Sequence, residues 1–123
     1  MLSGRESTVD NVLAAMDGAG LAHIAAHGRY GGVELADGVL WPGDIDRPPR
    51  LLVLSACECA LDPLLPKGTR AVVASTLPVV DEAAVGLVTS LHANLRAGSG
   101  PAEALARAQV RHGDRGFVCV GAG

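Results

Sequence analysis

Two short stretches carry side chains able to move a proton or attack a carbonyl. "LAHIAAHG" (21–28) places His23 and His27 in an otherwise apolar run that stops at Gly28. "LLVLSACECA" (51–60) leads a second apolar run into Ser55, Ala56 and Cys57. A thiol beside an imidazole is an activated nucleophile. The imidazole stabilises the thiolate and later protonates the leaving amine. Gly28 lets a substrate carbonyl approach the backbone closely. Its N–H, together with that of Cys57, has the chemistry of an oxyanion hole. Taken singly, a cysteine in an apolar segment is more often a small core residue, and a histidine beside a strand is more often structural. The pair becomes a candidate through its joint placement at the ends of two strands.

That placement depends on the elements around it. Residues 21–26 read as a strand buried on both faces, and 51–56 and 71–75 ("AVVAS") as two more buried strands. Ser7 or Thr8 is placed to cap a helix whose Val9, Val12, Leu13 and Met16 recur at helical spacing. Residues 29–32 read as a loop, and "VELADGVLW" (33–41) as two short strands around an Asp37-Gly38 turn. Residues 42–50 form a turn or a single helical turn, and the prolines in 58–70 exclude a long helix there.

Asp81 and Glu82 open a helix with an acidic N-terminus, the polarity its dipole favours. Its apolar stripe is Ala84, Leu87, Val88, Leu91 and Leu95, and Gly98 stops it. Pro101 begins another helix that runs to about His112, and "GFVCVG" (116–121) is a last strand. Continuous apolar strands alternating with helices predict an α/β fold with an open, mostly parallel sheet flanked by helices. In such sheets chemistry collects beyond the C-terminal strand ends. His27 and Cys57 fall there. If the two strands are neighbours, about 4.8 Å separates them.

The 123 residues suit a single domain, 1–123. Nearly half the residues are hydrophobic, which fits a well-filled globule. A net charge of −3, no basic block and one each of Trp, Tyr and Phe argue against a nucleic-acid partner. No apolar run reaches the ~18–20 residues that span a bilayer, and the first ten residues lack a basic-then-apolar leader. The expectation is a cytoplasmic protein with no membrane partner. Lys67 is the sole lysine among ten basic residues, which with the Ala, Gly and Val content fits a GC-rich bacterial genome.

The order of "HIAAHG", "LLVLSACECA" and the block from "GTRAVVASTLPVVDEAA" to "AEALARAQ" resembles the successive signature blocks of CHAT domains. These are caspase-like cysteine peptidases related to separase. The resemblance covers about residues 7–121. It implies His27 as general base, Cys57 as nucleophile and Gly28 as an oxyanion donor with Cys57. It aligns Asp81 with an aspartate near the pocket for the residue before the cut, where an acid pairs with a basic substrate side chain. Asp81 equally reads as a helix cap. The implied activity is cleavage of protein or peptide substrates with no metal and no cofactor.

The chain departs from the family pattern: Leu77 stands for a usual Trp and Cys59-Ala60 for a common Thr-Gly or Ser-Gly, and two larger departures concern the scaffold. Two strands and a helix expected ahead of Ser7 are lacking, and "CALDPLLPKGTR" is shorter than the usual helical block. The His27 strand is then expected at an apolar edge, an association hazard, with a partner chain or self-association completing the sheet. The alternative reading is therefore a shortened, inactive homologue that serves as a protein-interaction module.

His23, an even number of positions before His27, points to the same face and reads as buried and hydrogen-bonded. His23, His27, Cys57 and Cys59 do not form a known zinc-ligand spacing. Cys59 reads as buried, or as a resolving thiol for oxidised Cys57 in a weaker redox reading. Cys119 reads as core. Glu58 either supports the Cys57 loop or faces water.

Overall fold

The protein is described by a computed structural model. The described residues are 2–29, 31–55, 62–75, 81–114 and 116–122; at 29, 62, 63 and 81–83 only the backbone is described. Helix α1 (Val9–Met16) starts where Thr8 accepts a hydrogen bond from the Asn11 N–H, so the expected cap is realised. The Asp37 carboxylate, from the turn, accepts the Val9 N–H at 2.8 Å, a second cap from a distant segment.

Strand β1 (Leu21–Ala25) leads into β2 (Gly28–Arg29), β3 (Gly32–Glu34) and β4 (Val39–Leu40), which form a small antiparallel sheet in the order β2-β3-β4. The Asp37-Gly38 turn joins β3 to β4 as expected. Strand β2, however, lies within a stretch read partly as loop. A side chain at position 32 would collide with Val39 and Trp41, so only glycine lets these chains approach so closely.

The main sheet contains β1, β5 (Leu51–Ser55), β6 (Ala71–Ser75) and β7 (Phe117–Gly121) in the order β1-β5-β6-β7. β1, β5 and β6 are parallel, and β7 closes the far edge antiparallel to β6. The fold is thus an open, mostly parallel α/β sheet. The proline-bearing segment Asp62–Lys67 is a 3-10 helix, short as its composition requires.

Helix α2 (Asp81–Arg96) ends near Gly98, whose φ of +102° is a conformation other residues resist. Helix α3 (Pro101–His112) follows. Both pack on one face of the sheet, where Leu87, Leu91, Ala104, Leu105 and Ala108 meet Val53, Val73 and Phe117. On the opposite face Leu52, Leu54 and Val72 meet Met16 of α1, Val33 and Leu40 of the small sheet, and Ile45. β5 therefore feeds both cores, with Leu52, Val53 and Leu54 fully buried. Cys119 packs against the helix-side core as expected, and burial raises its thiol pKa.

β1 corrects one expectation. Its apolar residues predict burial on both faces, but within the strand only Ile24 is buried and Leu21 is 42% exposed. The strand occupies the outer edge of the sheet among the described residues, so the face toward the helices is only partly covered.

Candidate active site at the ends of two parallel strands

β1 and β5 are neighbours, and their register pairs Ala25 with Ser55, the last residue of each strand. His27 follows Ala25 by two residues, and Cys57 follows Ser55 by two. Cys57, Glu58 and Cys59 lie outside the described residues. His27 is exposed, and its carbonyl accepts the Glu34 N–H at 2.8 Å. This bond fixes the backbone of the candidate base on the small sheet.

The same bond sets the direction of the next peptide. In an antiparallel ladder N–H and C=O groups alternate between the two sides of a strand. The His27 carbonyl faces β3, so the Gly28 N–H turns away from β3, although Gly28 stands opposite Val33.

Asp81 is the first residue of α2. In chain order, His27 follows β1, Cys57 follows β5 and Asp81 begins α2.

The structure adds a feature that strand and motif reading missed. His23 on β1 was expected to be buried and hydrogen-bonded; it is hydrogen-bonded but exposed, because β1 is an edge strand. Its Nε2 is 3.0 Å from Ser55 Oγ, and its Nδ1 is 3.2 Å from Nε2 of His92. The two rings are 5.1 Å apart, tilted by 39°. His92 lies on α2 one position from Leu91, and its helical phase was the only signal that could have pointed it toward β1. Crowding against protein atoms lowers the pKa of His23 below 6.5, and His92 adds to the effect. Burial followed by Arg96 lowers that of His92.

An open cleft of about 530 Å³ runs along the other side of β1, bordered by Met16, Ile24 and Leu35. Among the described residues no group of three His, Cys, Asp or Glu side chains is arranged to hold a metal ion. Nor is any described helix long and apolar enough to cross a membrane.

A family model for the CHAT domain matches residues 1–115. The chain belongs to the CHAT domain family. CHAT domains are caspase-like, and the parallel β1-β5-β6 core with helices packed on it is consistent with that membership. No curated protein matches the CHAT chain described above.

Proposed function

We propose that this CHAT domain is a cysteine endopeptidase acting through Cys57 and His27. The observation that carries the reading is the parallel β1–β5 pairing, with Ala25 level with Ser55. In the sequence, His27 and Cys57 each follow that pair by two residues.

In the proposed reaction His27 takes the Cys57 thiol proton as Sγ attacks the scissile carbonyl carbon. The N–H groups of Gly28 and Cys57 stabilise the oxyanion. The resulting imidazolium donates its proton to the leaving amine as the C–N bond breaks, leaving a thioester. Water, deprotonated by His27, then releases the acid product and restores the thiol. Asp81, at the start of α2, pairs with a basic substrate side chain before the cut. No step calls on a metal or an organic cofactor.

The test is digestion of a proteome-derived peptide pool, with new termini read by mass spectrometry. Cleavage by the wild type that is lost in both Cys57→Ala and His27→Ala supports the reading. Identical terminus profiles for all three proteins contradict it. Enrichment of Arg or Lys before the cut, lost in Asp81→Ala, supports the substrate assignment.

The outermost place of β1 among the described residues, with Leu21 exposed, favours a second reading, a module that associates with a protein partner or with itself. That reading predicts partner binding that survives Cys57→Ala.

A further inference from the structure

His23, Ser55 and His92 come from β1, β5 and α2 respectively. Those are the three elements that lead to His27, to Cys57 and from Asp81. One hydrogen-bonded chain of side chains therefore ties together β1, β5 and α2. It meets β5 at its last paired residue, where the ladder with β1 stops and the segment to Cys57 begins.

The chain has a definite proton logic. Between neutral imidazoles one facing nitrogen donates and the other accepts. In one arrangement His92 Nε2–H donates to His23 Nδ1, and His23 Nε2–H donates to Ser55 Oγ. In the other, the Ser55 hydroxyl donates to His23 Nε2, and His23 Nδ1–H donates to His92 Nε2. A single added proton preserves a donor and an acceptor at the facing nitrogens. A second added proton puts N–H groups on both, which ends the hydrogen bond and sets two cations against each other. Among the described residues, the charged and titratable groups bearing on the pair are the two rings themselves and Arg96, which adds repulsion to the charged form of His92.

We infer that His23 and His92 are positioning residues for the Cys57 chemistry. Through Ser55 they hold the end of β5 against β1 and α2, and they do so only while the pair carries at most one added proton. This rests on the peptidase reading above. Neither histidine touches the reacting atoms in this account; their effect passes through the backbone two residues before Cys57.

The test is the iodoacetamide alkylation rate of Cys57 against pH, read by peptide mass spectrometry, in wild type, His27→Ala, His92→Leu and His92→Gln. Circular dichroism confirms folding of each variant. Leucine removes the hydrogen bond. Glutamine restores it, and its amide turns to present a donor or an acceptor, so it tolerates either charge state of His23. At neutral pH His92→Leu is expected to slow Cys57 by roughly three- to tenfold, the equivalent of one ordinary hydrogen bond, with His92→Gln near wild type. The ratio of wild-type to His92→Gln rates is expected to stay constant above pH 6.5 and to fall below it.

If both His92 variants match wild type at every pH while His27→Ala still quenches Cys57, the inference is overturned and the dyad stands. If Cys57 reacts as an ordinary thiol in wild type and His27→Ala alike, the peptidase reading and the inference fall together.

Discussion

β1 and β5 run side by side and lead to the two residues assigned the chemistry, yet they are held in opposite ways. β5 is central, with three consecutive apolar side chains fully buried and shared between two cores. β1 is at the edge, with a single buried side chain, and is secured on the helix side by polar contacts through His23. The centre of β5 is thus fixed by packing, which is insensitive to pH. β1 is held by its backbone ladder with β5 and by Ile24, and its tie to α2 and to the last residue of β5 runs through hydrogen bonds of titratable rings, which respond to pH. A site built this way would lose the alignment of its strand ends before it lost its fold.

The largest effect expected from this contrast is catalytic. His27→Ala leaves an exposed surface position and should change unfolding free energy by less than about 0.5 kcal/mol. Peptide cleavage should nevertheless fall by roughly 10²–10⁴-fold, the usual contribution of a general base. Peptidase assay and urea unfolding on the same sample separate the two.

The next effect is structural. Leu54→Ala on β5 removes a fully buried side chain and should cost about 2–5 kcal/mol by urea denaturation. Leu21→Ala on β1, already 42% exposed, should cost well under half of that. Equal losses would mean that β1 is covered by something the strand pairing does not show.

A smaller effect is expected at the helix α1 cap. Thr8→Ala should cost about 0.5–2 kcal/mol, and Asp37→Ala a loss of similar kind, because each accepts an N–H from the first turn. The double variant reports whether the caps act independently.

The smallest is the pH dependence of stability. His23 and His92 both have folded-state pKa values below 6.5, so the unfolded chain binds protons that the folded chain refuses. Their contribution is fully present above pH 6.5 and is lost as the pH falls from there through the lowered folded values. His92→Gln should flatten that part of a stability–pH curve measured by thermal melting.

Much of this architecture is written in local sequence. The apolar runs at 51–54 and 71–73 have no alternative to burial, Asp37-Gly38 marks the turn between two short strands, and Gly98 follows α2 with a backbone conformation other residues resist. The exposure of β1 was not legible in its residues. "LAHIA" has the same apolar look as a central strand; its edge position was implied only by the family pattern, and the sheet order places β1 outermost among the described residues. The Asp37 cap and the His92 contact were hidden for a related reason. Each joins residues far apart in the chain, Val9 to Asp37 and His23 to His92, and no periodicity encodes such a meeting. His27 and Gly28 stood out because a polar residue and a glycine interrupt an apolar run at a strand's end.

The central claim, that strand pairing activates Cys57 through His27, is tested most directly by the thiol pKa of Cys57. It can be followed by NMR of 13C-labelled cysteine Cβ against pH in wild type and His27→Ala. The account predicts a wild-type value well below the ordinary thiol value of about 8.5, returning to it in the variant. An ordinary value in both proteins would contradict the claim.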